Sequence, residues 1–207
     1  GPTREYLDDV RFVSNASSGR MGIACANTAV ALGMEVTLVL GPVEVVAEFA
    51  PGISVVPVIS TAEMCAAVQA RFARCDIFIS SAAVADYAPK VRLPGKLHKG
   101  NALSIEFVRT VDILAWAGGV KTPQQRLVGF SLEATMDIAR GAEKRRAKHC
   151  DLLVVNTVAN LGSDAGEAVL LDASGVIAKG RFSKSELASL VLERVLKTPW
   201  PIHADHE

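Results

Sequence analysis

The sequence predicts a three-layer α/β domain, with a mostly parallel, Rossmann-like sheet between two layers of helices and a hairpin extension near its carboxyl end. Short apolar runs alternate with helix-like segments, and continuously apolar strands are typical of a parallel sheet that is buried on both faces. The 207 residues are 50% hydrophobic, and the mean hydropathy is +0.29. A single domain of this length therefore has enough apolar material for a buried core.

The elements follow from periodicity and from end signals. Six apolar runs are expected to form strands, at 36–40, 54–58, 76–80, 103–108, 126–131 and 151–156. Helical patterns lie between them at 22–33, 61–74, 112–121 and 134–148. A hairpin over 167–172 and 176–179 and a helix over 183–196 are expected to follow. Ser60 with Glu63 and Ser183 with Glu186 have the capping-box spacing of a helix start. One domain is expected over 1–198, with a polar tail over 199–207.

Composition excludes several classes of protein. Lys and Arg total 22, as do Asp and Glu, so the net charge is zero. Proteins that coat nucleic acid or anionic membranes need a positive excess, so neither partner is expected. No apolar run has the length of a membrane span and no signal-peptide pattern is present, which predicts a cytoplasmic protein. The four cysteines form no Cys-x-x-Cys pair, so reduced, buried thiols are expected.

The segment 82–102 is the first place to look for a site. It follows the predicted strand 76–80 and has no strong periodicity. Loops of this length in compact domains are usually functional or disordered, and ligands of open parallel sheets bind beyond the carboxyl ends of strands. Asp86 lies at its start, and Lys96 and Lys99 lie on a Pro/Gly-flanked stretch that could act as a lid over a polyphosphate. Taken alone, each also fits an ordinary surface residue.

Two further segments are suited to anions. Ser17, Ser18, Gly19 and Gly22 lead into a small-residue helix, whose first N–H groups favour a phosphate only slightly over an ordinary capped start. Arg140, Lys144 and Lys148 stack on one helical face at i, i+4 and i+8. That stripe indicates an anionic partner such as a triphosphate, or equally a solvated basic face.

A nicotinamide-dependent reductase is the natural alternative for such a fold. It would need Gly-x-Gly-x-x-Gly after the first strand and an acidic residue at the end of the second. The chain has only Gly19-x-x-Gly22, and its second strand ends without a carboxylate at Leu40-Gly41-Pro42. Tyr87 and Lys90 are one residue short of the Tyr-x-x-x-Lys spacing of short-chain dehydrogenases.

A set of motifs, in chain order, resembles one family. They are GPTRE (1–5), RFVSNASSGRMG (11–22), SSAAVADY (80–87), GKLHKG (95–100), VDILA (111–115), VGFSLEA (128–134) and VVN (154–156). Together they resemble the phosphopantothenate–cysteine ligases of coenzyme A biosynthesis, over residues 1 to about 196. The resemblance implies that 4′-phosphopantothenate and L-cysteine are joined through an acyl-cytidylate, with CTP as co-substrate and Mg²⁺ as the metal.

The resemblance also assigns roles to residues. It implies catalytic roles for Asn15, Lys96 and Arg11, with the Asn15 amide donor holding the reacting carbonyl oxygen. Nucleotide contacts are implied for Ser80, Ser81, Ala82, Asp86, Lys96, Thr110, Val111, Asp112, Ile113, Phe130, Lys144 and Lys148. Arg11, Asn15 and Ala83 are the implied substrate contacts, and Asp86 is a candidate magnesium ligand.

Partners follow from the same resemblance. A homodimer is expected, as is fusion to, or assembly with, a flavin-dependent phosphopantothenoylcysteine decarboxylase. Family members have a first strand before GPTRE, which this sequence lacks. A non-catalytic nucleotide-binding module of the same fold is the other alternative, and the presence of both Asn15 and Lys96 argues against it.

Overall fold

The computed structural model describes residues 1–43, 49–98, 100, 103–160 and 162–197. Its strands are β1 Arg4–Tyr6, β2 Phe12–Ser14, β3 Val36–Leu40, β4 Ile53–Pro57, β5 Ile77–Ser80, β6 Tyr87–Pro89, β7 Phe107–Arg109, β8 Arg126–Glu133, β9 Leu152–Thr157, β10 Ala165–Asp172 and β11 Gly175–Ser183. Its α-helices are α1 Arg20–Ala31, α2 Thr61–Phe72, α3 Ile113–Val120, α4 Ile138–Ala147 and α5 Lys184–Lys197. A short 3₁₀ turn, Val158–Asn160, follows β9.

The main sheet has five strands in the order β11-β10-β9-β8-β5. Strands β5, β8 and β9 are parallel, whereas β10 runs antiparallel to β9 and pairs with β11 as a hairpin. β3 and β4 form a separate parallel pair. The predicted α/β class, with helices on both faces and a carboxyl-terminal hairpin, is confirmed.

Side chains of β9 alternate between the two faces of the sheet, and each face is covered by helices. Leu153 and Val155 pack with residues of α2 and α3, whereas Leu152 and Val154 pack with α5. These four side chains are at most 3% exposed. Burial of each contributes roughly 1.5–3 kcal/mol, so the apolar run that predicted this strand also supplies the centre of the core.

Two small hairpins depart from the prediction. The expected strand 103–108 is reduced to β7, which pairs antiparallel with β6 from within the predicted loop instead of joining the parallel sheet. β1 and β2 form a second hairpin of three-residue strands. Such short strands of mixed polarity have too few residues for a periodic pattern to develop.

The first residues of the chain lie between β5 of the main sheet and the β3–β4 pair. Pro2 bridges Ala83 beyond β5, and a Cβ on Gly1 would lie 2.7 Å from the carbonyl oxygen of Gly41 beyond β3. The GPTRE motif therefore reaches the carboxyl ends of the parallel strands.

Other expectations have mixed outcomes. Within the described ranges, no helix is long and apolar enough to span a bilayer. All four cysteines are free, and three of them are buried. The predicted tail 199–207 and Lys99 of the predicted lid lie outside the described residues.

Candidate functional site

The turn after β5, residues 81–86, forms one wall of the candidate site. Asn15, which follows β2, donates from Nδ2 to the carbonyl oxygens of Ala83 at 3.2 Å and Val84 at 2.9 Å. Two motifs 68 and 69 residues apart in sequence are thus joined at the carboxyl edge of the sheet. Both acceptors are carbonyls, so the orientation of the amide is fixed, and Oδ1 is the atom left to a ligand. The predicted use of the Nδ2 donor for the substrate therefore differs from this geometry.

Thr110 holds the same turn from the other side. Its hydroxyl donates to the Ala85 carbonyl at 2.5 Å, and its N–H donates to the Asp86 carbonyl at 3.0 Å. Three of the predicted contacts, Asn15, Asp86 and Thr110, are thereby brought together.

Asp86 is exposed, and among the described residues no side chain forms an ion pair or hydrogen bond with its carboxylate. Among the described residues, no group of three or more His, Cys, Asp or Glu side chains is arranged to hold a metal ion. Mg²⁺ commonly binds through one or two carboxylates together with substrate phosphates and water. A single exposed carboxylate of this kind fits a magnesium ion that arrives with a nucleotide, and the role of Asp86 as its ligand stays a prediction.

A buried aspartate anchors the base of the predicted lid. The Asp8 carboxylate accepts from the Leu97 N–H at 3.0 Å and from the Arg11 N–H at 2.6 Å. The N–H groups of Leu97 and Arg11 lower the pKa of Asp8 to about 2. The Arg11 guanidinium lies 3.2 Å from Asp8 and also donates to the Leu97 carbonyl. Arg11 therefore fixes the residue next to Lys96, whose own side chain is exposed.

Lys148 and Asp112 form an ion pair at the start of α3. Asp112 caps this helix by accepting from the Ala115 N–H at 2.9 Å, and its other oxygen lies 2.8 Å from the Lys148 ammonium. Partial burial opposes ionisation of Asp112, but the hydrogen bonds from Lys148 and Ala115 lower the pKa of its carboxyl overall. The Val111–Ile113 turn is thus tied to the end of α4.

Lys144 lies one turn earlier on α4 and reaches the sheet. Its ammonium donates to the Ser131 hydroxyl on β8 at 2.9 Å, and this hydroxyl donates to Glu133 at 2.6 Å. Burial, followed by the nearby charge of Lys148, lowers the pKa of Lys144. Lys144 and Lys148 are both half-buried with defined partners, so neither belongs to a simply solvated face.

Close packing of α4 on the sheet makes this reach possible. Gly141 is buried, and a Cβ at this position would lie 2.5 Å from Val155 Cγ2 and 3.0 Å from Leu171 Cδ1. Arg140, the first residue of the predicted stripe, points outward instead: its side chain is 70% exposed and lies 3.5 Å from Glu133.

The remaining predicted contacts occupy the strand ends. Ser80 ends β5 opposite Gly129, and a Cβ on Gly22 would lie 3.0 Å from the Ser81 hydroxyl. Phe130 packs with the α5 face of the core and Ala82 with the opposite face. Helix α1 begins after Gly19, at φ 73°, with no side-chain cap. Its predicted role in binding a phosphate stays a prediction.

Three buried polar residues behind the 81–86 turn were missed by sequence reasoning. Thr3, Glu5 and Thr61 are 0%, 7% and 2% exposed. Two sequence features could have drawn attention to them. One is the GPTRE motif, which contains Thr3 and Glu5 and was given no chemical role, and the other is Thr61, which directly follows the capping serine of α2. Neither pattern indicates burial.

Comparison with known proteins gives consistent matches. The family model described as the DNA/pantothenate metabolism flavoprotein C-terminal domain matches residues 1–198. Over 202 residues the chain is 41% identical to a protein named cysteine/cysteine sulfinic acid decarboxylase, from a prokaryote of unknown species, covering 95% of this chain and 56% of that protein. Over 173 residues it is 44% identical to the coenzyme A biosynthesis bifunctional protein CoaBC of Bacillus subtilis (strain 168), covering 80% of this chain and 41% of that protein.

A solved structure agrees with these matches. The crystal structure of the C-terminal domain of a CoaBC protein superposes with a TM-score of 0.79 at 35% identity, covering 94% of this chain and 90% of that one. The chain spans about half the length of the curated relatives it matches.

Proposed function

The chain belongs to the family of DNA/pantothenate metabolism flavoprotein C-terminal domains, and on this premise we propose that it is a CTP-dependent phosphopantothenate–cysteine ligase. In the first step, a carboxylate oxygen of 4′-phosphopantothenate attacks the α-phosphorus of CTP, and pyrophosphate leaves. In the second, the amine of cysteine attacks the acyl carbon, the bond from that carbon to the CMP oxygen breaks, and the nitrogen loses a proton. The activation is needed because a free carboxylate has no adequate leaving group.

The observation that carries this proposal is the double hydrogen bond from Asn15 to Ala83 and Val84. It joins the two most specific motifs of the resemblance into one wall. From this wall, contacts continue through Ala85 and Thr110 to Asp112 and Lys148. The proposed substrate and nucleotide contacts thus share one edge of the sheet, which supports a reaction through an acyl-nucleotide intermediate.

Lys144 and Lys148 are proposed to neutralise the phosphates of CTP. Ammonium groups that are partly desolvated bind an anion more strongly than exposed ones, because the local dielectric is lower. Mg²⁺ held by the triphosphate and Asp86 would add further positive charge beside the leaving pyrophosphate.

Asn15 is proposed to orient the attacking amine. Its two amide hydrogens are engaged by Ala83 and Val84, so its free oxygen is an acceptor. An acceptor suits the N–H groups of the cysteine amine better than it suits the acyl oxygen. Lys96, next to the anchored Leu97, is proposed to close over the intermediate.

A second copy of the chain is the proposed partner. The two small hairpins expose a set of large apolar side chains that are 39–52% exposed: Phe12, Val13, Tyr87, Phe107 and Val108. β1 and β6 contact each other, so both hairpins contribute to one exposed region. Large apolar side chains exposed on neighbouring hairpins favour an interface. Sedimentation analysis should give twice the chain mass, and a monomer at micromolar concentration would contradict this proposal.

The nicotinamide alternative has little structural support. Tyr87 is 52% exposed, and Lys90 pairs with Glu106 at 2.9 Å rather than with the tyrosine. The two side chains do not form a reductase pair.

The deciding experiment measures pyrophosphate release. CTP alone should release none, CTP with phosphopantothenate should give release limited by the bound intermediate, and added cysteine should start turnover with CMP as product. ATP in place of CTP tests the nucleotide preference. NADPH binding without any CTP-dependent release would favour the reductase. CTP binding without turnover would favour a non-catalytic module.

A further inference from the structure

The GPTRE motif contains two of three buried polar side chains that form a hydrogen-bonded relay. The Ala85 N–H donates to the Thr3 hydroxyl at 3.0 Å, and the hydroxyls of Thr3 and Thr61 are 3.1 Å apart. The Thr61 hydroxyl donates to the Glu5 carboxylate at 2.7 Å. Glu5 also accepts from the Thr61 N–H at 2.8 Å, at the start of α2.

The direction of the relay follows from counting hydrogens. A hydroxyl has one hydrogen, and that of Thr61 is directed to Glu5 at 2.7 Å rather than to the more distant Ala85 carbonyl at 3.4 Å. Thr3 must then donate to Thr61, and its oxygen accepts from Ala85. Every donor therefore points toward the carboxylate, and such aligned chains strengthen one another in a low-dielectric interior.

The relay ends on the turn that carries the site. Ala85 lies between Asp86 and the carbonyls that hold Asn15, and its own carbonyl accepts from Thr110. Thr3 thus holds the N–H of Ala85, and Thr110 holds its carbonyl oxygen. Loss of the Thr3 hydroxyl removes the acceptor of the Ala85 N–H, and loss of the Thr61 hydroxyl leaves Thr3 without the partner that sets the direction of its own hydroxyl. Ala85 keeps its bond from Thr110 in both cases.

We propose that Thr3, Thr61 and Glu5 are positioning residues for the ligase reaction, a role that rests on the proposed function. They contact neither substrate nor nucleotide. Their effect is to fix the Ala83–Asp86 backbone, and with it Asn15 and Asp86, in the geometry needed for amine attack. Displacement of reacting groups by about 1 Å can lower a rate about 100-fold, so a buried hydroxyl distant from the chemistry has a large effect.

The test replaces each hydroxyl with a methyl group of the same shape. Thr61→Val and Thr3→Val should each lower kcat for amide formation about 10- to 100-fold, with the KM for CTP within about twofold of the unmodified chain. Thr61→Ser, which restores the hydroxyl, should recover kcat to within about threefold. Thr28→Val is the matched control, because the Thr28 hydroxyl bonds only within α1, to Ala24 at 2.8 Å.

A double mutant tests whether the residues act as a unit. Thr3→Val with Thr61→Val should be no slower than the slower single variant, because either change alone breaks the relay. Three outcomes would overturn the proposal. The decreases in kcat of the single variants could multiply in the double mutant, the valine variants could lose no more kcat than Thr28→Val, or Thr61→Ser could fail to recover activity. Thermal unfolding of every variant establishes that each is folded at the assay temperature.

Hydrogen exchange gives a readout that does not need activity. The Ala85 amide hydrogen should exchange about tenfold faster in Thr3→Val and in Thr61→Val than in the unmodified chain, and its exchange rate should be unchanged in Thr28→Val. Unchanged exchange at Ala85 in the valine variants would also overturn the relay. If the unmodified chain forms no amide, the proposed function fails, and exchange at Ala85 alone then decides whether the relay exists.

Discussion

Two hydroxyl relays lie on the two sides of the candidate site, and each ends on a glutamate. On the side proposed for the substrate, a backbone N–H is linked through Thr3 and Thr61 to Glu5, entirely within the interior. On the side proposed for the nucleotide, the half-buried Lys144 ammonium is linked through the buried Ser131 to Glu133. The first relay fixes the shape of a peptide turn, whereas the second fixes the position of a charge.

The difference predicts different sensitivities. A relay that sets geometry should affect the rate of the chemical step, and salt should have little influence on it. A relay that holds a cation should affect nucleotide affinity. Added salt should weaken this effect, because ions screen the interaction between solvent-accessible charges beyond a Debye length of about 8–10 Å. The predictions below separate the two sides.

The largest effect is expected on the substrate side. Asn15→Ala should release pyrophosphate once per site but form the amide about 100-fold more slowly, because the attacking amine is no longer oriented. Quenched samples should contain accumulated acyl-cytidylate, measured by mass spectrometry. Amide formation at the unmodified rate would refute the role of Asn15.

An intermediate effect is expected on the nucleotide side. Lys144→Gln should raise the KM for CTP about tenfold, or about 1.4 kcal/mol, which is near the lower end for loss of a charge-assisted hydrogen bond, and leave the KM for cysteine unchanged. Added salt should reduce the difference from the unmodified chain. Lys179→Gln, on the exposed face of the edge strand β11, is the matched control. Equal increases in both KM values would instead indicate a general structural defect.

The smallest effect is expected at the anchor of the lid, and it depends on pH. The pKa of Asp8 is lowered to about 2, so the unfolded chain binds more protons than the folded one between that value and the usual range of an aspartate. The stability from Asp8 is therefore present above about pH 4 and lost as the pH falls through about 2. Thermal unfolding should show Asp8→Asn less stable than the unmodified chain at pH 7, with the difference shrinking over that acidic window. A difference independent of pH would assign the effect to packing.

Much of the fold was accessible from the sequence, because the buried strands consist of uninterrupted apolar residues. The apolar run Leu152–Val155 predicted a strand buried on both faces, and these residues are buried in β9. The capping box of Ser60 and Glu63 placed the start of α2 correctly, and Ser60 accepts from the Glu63 N–H at 3.2 Å. The three-residue strands of the small hairpins were missed or misplaced, because their pairing depends on contacts between distant segments.

Sequence reasoning named residues for the candidate site but not the contacts between them. The spacing of Lys144 and Lys148 indicated an anion-binding stripe, but nothing in it pointed to Ser131 or Asp112 as their partners. The relay to Glu5 depends on a contact across 56 residues, and a threonine gives no local sign that it is buried. Sequence periodicity predicts the helix or strand to which a residue belongs, whereas these contacts depend on the tertiary packing of different elements.

The close packing of Gly141 on the sheet determines whether Lys144 can reach Ser131. A methyl group there would act as a wedge between α4 and the β9–β10 surface. The helix would stand off from the sheet, and the lysine one turn along would no longer span the distance to its serine. The polyanion binding proposed for this fold therefore depends on the missing side chain of Gly141 as much as on the lysine ammonium groups.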